Sequence, residues 1–517
     1  MQTNEWLVRR EAVYVPVQIP DAVQEQSVEL DYVLPDYCPD FFRLLSCTAD
    51  ALITEQEVSE GTLNYTLKVR LHVLYCGEQS CAVQAVTQQL TYHKQLSFPA
   101  ELSAAEEPVF RLTAEPSYMN CRAVSHRRID LRGAVRIRIQ MSGESRCEVI
   151  SGAEGLHVRC RTDNVQYISQ IFRTQKRFVL SEDFQIAPSQ PALLSVLRDH
   201  VSLSVTETRI VAGKLIVKGE AAVTLLYAAE NGIETLTSVF PFSQIVEQNG
   251  LSDEMPCAVT ASLNDILLMP ESENDGNIRL IHCDLQILLQ SEAARSTEAA
   301  LLTDLYSTVH PVTLQTQDIP LLSAPAEHTE TMQMKVTLTQ PENVLTKVYA
   351  AWAEPAGVQS APDPDNAEGT VLSGTLHCSV LAADAENRPM MLEQDAPFSW
   401  QLPFRSAGQS LPHLTVRSCG YMLSGPEQVM LQPELLLSGS VMQQVPHRLL
   451  TDIRIDREER LPVDEDYALR LYFGQPSESL WEIAKRYHTA PEAVREENAL
   501  TDDVLQSAQM LLIPNVK

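Results

Sequence analysis

The chain has 517 residues, 44% of them hydrophobic and 6% aromatic, with a formal net charge of −29 at pH 7. That charge excludes a general nucleic-acid binder, because phosphate contact needs a basic surface. No apolar run approaches the roughly 20 residues that span a bilayer. The first twenty residues lack the apolar core of a signal peptide, so neither export nor anchoring is indicated and a cytoplasmic protein is expected. The length predicts three or four domains with real cores. From Tyr467 onward there are five Lys or Arg and seven Asp or Glu, a charge of −2, which leaves −27 for the body. An acidic body favours solubility and suits a basic partner. The eleven cysteines are an odd, irregularly spaced set. They read as reduced thiols, many of them, such as Cys283, in core packing. The close pairs His157/Cys160 and Cys76/Cys81 have no second pair to complete a four-ligand set, so no metal is expected.

In chain order, the first marked segment is Leu34-Pro-Asp-Tyr-Cys-Pro-Asp-Phe-Phe-Arg-Leu-Leu-Ser46. Pro35 and Pro39 hold the chain extended. Asp40 is expected to cap a short turn or helix over 41–46 that plugs one end of a sandwich, with Asp36 and Asp40 in structural roles. Residues 61–75 alternate strictly: Leu63, Tyr65, Leu67, Val69, Leu71 and Val73 face one way, and Asn64, Thr66, Lys68, Arg70 and His72 the other. That is the period of a half-buried strand with one solvated face. The cassette returns at 213–227 and, more faintly, at 369–382, each led by a glycine, so three related units are expected. A second alternating cassette closes each unit, at 117–141, 278–290 and 427–443. Within the first of these, Arg128, Arg132, Arg136 and Arg138 share one strand face, a candidate docking face for an acidic partner or anionic lipid head groups of a membrane surface. Long alternating strands with turns between them predict antiparallel sandwiches. Residues 354–368 are rich in Pro, Ala and Asp and read as a mobile insertion; the charged stretch 451–466 reads as a linker and hinge that gives the tail reach.

The tail, 467–517, has its own pattern. Leu469, Leu471 and Phe473 form a short apolar strand, followed by a turn with Gly474 and Pro476. Ser477 or Ser479 caps a helix carrying Leu480, Trp481, Ile483, Ala484 and Tyr487 on one face. Pro491 opens a second helix over 490–498, and a loop leads to a closing strand, 510–513, stopped by Pro514. Trp481 invites a sugar-stacking role but suits a core position at this helical phase.

This strand–helix–helix–strand order, with the strings SLWEIAKRY, Asn498-x-Leu500 and LLIP, resembles a LysM domain. The resemblance implies a module that binds N-acetylglucosamine polymers such as peptidoglycan, through a groove between the first strand–helix loop and the loop before the last strand. Its residues here are Pro476, Ser477, Glu478, Ser479, Leu480, Asn498, Leu500 and Thr501. The family has Gly-Asp-Thr/Ser-Leu and Pro-Gly-Gln where this chain has Ser477, Glu478, Ser479, Leu480 and Ser507, Ala508, Gln509. A Cβ at each glycine position is expected to narrow the groove or reroute its loop.

The body resembles a second family. The Pro-Asp-x-x-Pro-Asp motif at 35–40, together with Asn120, Arg122 and His126-Arg-Arg-Ile-Asp-Leu-Arg132, is similar to the SPOCS domains of spore-forming Firmicutes. These motifs are densest in the first unit and fade toward the third. The expected fold is mainly β: SPOCS-like antiparallel sandwiches at 1–150, 165–300 and 301–450, the linker 451–466, and a small βααβ LysM domain at 467–517. Tandem SPOCS units before one LysM unit is the layout of a spore-envelope morphogenesis family. That resemblance implies a non-enzymatic factor in the mother-cell cytosol, at the forespore surface, that helps assemble coat and cortex. Its implied partner is the ATPase of the coat basement layer, stage IV sporulation protein A. No nucleophile elbow, H-E-x-x-H or Walker loop is present, and nothing requires a cofactor. The alternative function is peptidoglycan binding through the tail.

Overall fold

The computed structural model describes residues 6–77, 82–103, 108–272, 276–323, 326–341, 344–366, 369–404, 413–462 and 469–514. In the first unit the strands are β1 (Leu7–Gln18), β2 (Ala22–Val33), β3 (Phe41–Ser59), β4 (Thr62–Gly77), β5 (Val83–Ser97), β6 (Val109–Ser125) and β7 (Arg128–Glu154), with a one-turn helix α1 (Ala100–Ser103). The second unit has β8 (Val158–Gln185), β9 (Ser195–Val211), β10 (Lys214–Ala229), β11 (Gly232–Glu247), β12 (Cys257–Ser272) and β13 (Ile278–Ser307). The third has β14 (Val312–Leu322), β15 (Ala326–Gln333), β16 (Val336–Thr339), β17 (Leu345–Pro362), β18 (Thr370–Asp384), β19 (Pro389–Leu402), β20 (His413–Gly425), β21 (Gln428–Val441) and β22 (Gln444–Ile455).

All three units share one topology. Three consecutive strands form one sheet: β3-β4-β5, β9-β10-β11 and β17-β18-β19. The closing strand forms the second, with the opening strands on one side and the penultimate strand on the other: β2-β7-β6, β8-β13-β12 and β15/β16-β21-β20. Alternate residues of both sheets interdigitate into one apolar core per unit. Small devices repeat as well. Tyr75 donates to the Pro39 carbonyl at 3.1 Å and Tyr227 to that of Pro191 at 3.2 Å. In the second and third units a glycine lets an aromatic ring lie over the central strand: a Cβ on Gly219 or Gly374 would come within 2.3 or 2.8 Å of Phe242 or Phe398.

The long strands run past the expected unit limits at 150 and 300 into a common hub. Each unit contributes one two-stranded ribbon, from β1 with the end of β7, the start of β8 with the end of β13, and β14 with β22. Val149, Leu301 and Leu449 meet in one cluster of the hub, while their neighbours Ile150, Leu302 and Leu450 meet in another. Each ribbon bulges immediately afterwards, at Ser151, Thr303 and Thr451. The three-stranded sheets also close a cycle, because β5 packs on β9, β11 on β17 and β19 on β3.

That cycle changes the reading of the first alternating strand. Thr66, Lys68, Arg70 and His72, expected on a solvated face, are buried on β4 because that face meets the other units. Two further expectations give way. Residues 41–46 begin β3 instead of forming a helix; Asp40 pairs with Arg127, whose guanidinium also donates to the Pro35 carbonyl at 2.7 Å. The Pro-Asp motif therefore wraps the Arg of the second motif. Residues 354–362 belong to edge strand β17, whose bulges and prolines fit an edge; of the rest, 367–368 lie outside the described residues. Of the linker, residues up to Ile455 are in β22, and 463–466 lie outside the described residues. Between them, Leu461 N–H donates to the Val309 carbonyl at 2.8 Å and His310 bonds the Glu459 carbonyl at 2.9 Å, which holds this stretch against the end of β13.

Candidate partner-docking tail

The tail folds as β23 (Leu469–Gly474), α2 (Leu480–Arg486), α3 (Pro491–Glu497) and β24 (Gln509–Pro514). Ser479 is the cap of α2, its hydroxyl accepting from the Glu482 N–H at 3.2 Å. Leu480, Ile483, Ala484, Val494, Leu505, Leu511 and Ile513 close the core. Pro491 stands in the first turn of α3, where no N–H is needed.

Most polar groups of the expected groove residues are spent on bonds within the tail. The Ser477 N–H donates to the Leu505 carbonyl at 2.8 Å, Leu505 N–H to the Glu478 carbonyl at 2.9 Å, and Leu480 N–H to the Asp503 carbonyl at 2.8 Å. These bonds zip the two groove loops to each other. The Gln475 N–H and the Tyr472 hydroxyl hold the Glu478 carboxyl below the usual carboxylate range. Leu480 is core. The Asn498 amide donates to the Val494 and Leu512 carbonyls and accepts from the Leu512 N–H at 2.7 Å, sewing α3 to β24. Leu500 packs at the core margin, and Pro476 and Thr501 are exposed. Ser477 sits at φ 72, a left-handed conformation that a side chain strains, so the loop keeps a glycine-type turn without the glycine.

Trp481 packs at the margin of the tail core, as its helical phase suggests, and reaches from there onto the body. Its ring packs edge-on against Tyr306 of β13 with centroids 5.0 Å apart, and its indole N–H donates to Asp304 Oδ2 at 2.7 Å. Lys485 Nζ reaches the same carboxylate at 2.7 Å, and the buried Tyr306 hydroxyl donates to the Thr489 carbonyl at 2.7 Å. The α2 side of the tail is therefore seated on the body. Asp304 and Tyr306 carry no motif, although Leu-Leu-Thr-Asp at 301–304 recurs at 449–452 and marks this end of the ribbon as a repeated feature.

The opposite side is open and apolar. Leu471 is 68% exposed, Phe473 61% and Met510 65%, with Leu469 beside them. Phe473 opposes Met510 and Leu471 opposes Leu512 across the two-stranded ladder, so these side chains form one face. The apolar alternation in β23, which sequence reading takes as a strand signal, points outward here, whereas Tyr472 turns in toward the helices.

The four arginines of β7 share a face as their spacing requires, but acids interleave with them. Arg128 pairs with Asp31 and Arg132 with Asp130; Arg136 lies between Glu25 and Glu115 in register; Arg138 donates to the Val358 carbonyl of the third unit at 2.6 Å. No cluster of three or more His, Cys, Asp or Glu placed to hold a metal occurs among the described residues. Cys81 lies outside them. No helix among the described residues is long and apolar enough to cross a membrane.

Three like antiparallel units around a shared hub, with a small βααβ module seated on one ribbon, define a multidomain, mainly β architecture. A family model described as SipL, SPOCS domain, matches residues 193–269, and the LysM domain model matches residues 475–514. The chain thus carries a SipL SPOCS domain in its second unit and a C-terminal LysM domain, the two domains that its motifs implied. The SPOCS match suggests a sporulation-related protein, and both families are non-catalytic binding or scaffold domains. No curated protein and no solved structure matches the chain.

Proposed function

We propose that this protein is a non-enzymatic assembly factor of the endospore envelope, acting in the mother-cell cytosol at the forespore surface and binding the coat basement-layer ATPase through its tail. The observation that carries the reading is the open face of Leu469, Leu471, Phe473 and Met510, set opposite the α2 side that is docked on the body. Burying one such side chain contributes roughly 1.5–3 kcal/mol, so this face supplies an apolar anchor for a protein partner. The groove offers less to a glycan, because N–H groups of its loops already donate to carbonyls of the facing loop. The LysM match favours peptidoglycan as the second reading.

The full-length chain is titrated in parallel with the ATPase and with soluble peptidoglycan fragments. Leu471→Glu places a carboxylate in the open face and is expected to weaken ATPase binding by about 2 kcal/mol, some thirtyfold, with no response to glycan in either chain. Saturable glycan binding without ATPase binding would make the groove the functional site instead.

A further inference from the structure

Cys47 and Cys121 lie on β3 and β6, the edge strands of the two sheets that meet along one side of the first unit. Across their ladders Cys47 opposes Val73 and Cys121 opposes Leu131, and both of those residues are buried in the core between the sheets. Directly opposed residues of an antiparallel ladder share a face. The two thiols therefore point into the same gap from opposite sheets, both packed against the core of the first unit. Both are free and half-buried, so a small oxidant reaches them.

The surroundings make the pair unequal. The neighbouring Cys47 thiol holds Cys121 below the usual thiol range, and Cys121 together with burial pushes Cys47 up. Cys121 is therefore the readier of the two to ionise. The pair also stands at a structural junction. Next to it, the Ser46 hydroxyl donates to Glu393 of the third unit at 3.3 Å and Arg43 donates to the Pro389 carbonyl. Through its ladder with β7, Cys121 connects to the strand that enters the hub.

We propose that Cys47 and Cys121 are an oxidative modification site that a hydroperoxide closes to an inter-sheet disulfide. The Cys121 thiolate attacks one peroxide oxygen, the O–O bond breaks, and the sulfur is oxidised to a sulfenic acid as hydroxide leaves. The Cys47 sulfur then attacks that sulfur and the S–O bond breaks. Water departs with the Cys47 proton, and the hydroxide takes up the proton given up by Cys121. Two thiols and one hydrogen peroxide become one disulfide and two waters. The bridge fastens the strand that meets the third unit to the sheet that feeds the hub.

The test uses the full-length wild-type chain, treated with hydrogen peroxide, alkylated and mapped as peptides without reduction. The expected product is one linked peptide pair joining Cys47 to Cys121, lost on adding dithiothreitol. Cys47→Ser is expected to stop at a sulfenic acid on Cys121, trapped as a dimedone adduct. A wild-type chain in which the two cysteines stay unlinked, or pair with other cysteines, overturns the proposal. Because the linkage is mapped on the wild type, misfolding of the variant has no bearing on it.

Discussion

Arg70, on the polar side of β4, donates to Asp50 at 3.0 Å within its own unit and to Asp199 of the second unit at 2.7 Å. His72 lies 2.9 Å from the same Asp50 carboxylate, and Arg198 donates to Thr48, pairs with Glu354 of the third unit and covers the Trp352 ring. All three units meet in this cluster. Removing such charges from water costs several kcal/mol per ion, which only close pairing offsets. Burial pushes the Asp50 carboxyl up, but the His72 hydrogen bond and the charges of His72, Arg198 and Arg70 outweigh it and hold the group well below the carboxylate range. A depressed folded-state pKa stabilises the protein above the unfolded value of about 3.9 and loses that contribution as pH falls toward the folded value. Stability measured by denaturant titration is therefore expected to decline below about pH 4. Asp50→Asn is expected to cost about 2–3 kcal/mol at pH 7 and to flatten that decline; an unchanged acid slope would show that Asp50 is not its source. From the sequence, Lys68, Arg70 and His72 read as solvated, because alternation separates polar from apolar faces but cannot tell water from another unit.

At the scale of elements, the tail is legible almost throughout. Its two helices, the proline that opens the second and the closing strand all follow from local spacing and capping, which depend on residues within a few positions. The side that docks was not legible, because Asp304 and Tyr306 lie far away in sequence. The latch they form with Trp481, Lys485 and Thr489 replaces the expected free hinge with a seated module. Asp304→Ala removes the acceptor for both the indole N–H and the lysine. It is expected to raise amide exchange across α2 in the full-length chain about tenfold or more, as a partly buried charge-assisted pair worth roughly 1.5–3 kcal/mol is lost. Exchange in β23 and β24, on the open face, should stay within about twofold. Equal acceleration throughout the tail would mean that Asp304 supports the module's own fold and not its docking.

Across the whole molecule, three units that could have been beads are joined by the hub and by the closed cycle of sheets. Each long strand serves two cores, so a unit cannot unfold while its ribbon stays packed. Leu449→Ala, in the hub cluster that gathers Val149 and Leu301, is expected to destabilise the body by about 3 kcal/mol. It should shift the transition followed by circular dichroism and by tryptophan fluorescence together. An unshifted transition from the first unit alone would show that the units unfold independently.

Strand periodicity, the recurring cassettes and the tail motifs were sufficient to establish a mainly β chain of three related units with a LysM end, because these features arise from local residue spacing. Sequence also placed the arginine row on one strand face. Only tertiary structure decided what those surfaces face: the polar side of β4 meets other units, Arg138 is engaged by the third unit, Trp481 by the body, and the apolar side of β23 by solvent. The physical reason is that period assigns a residue to a face, while the surroundings of that face depend on chain segments more than a hundred residues away.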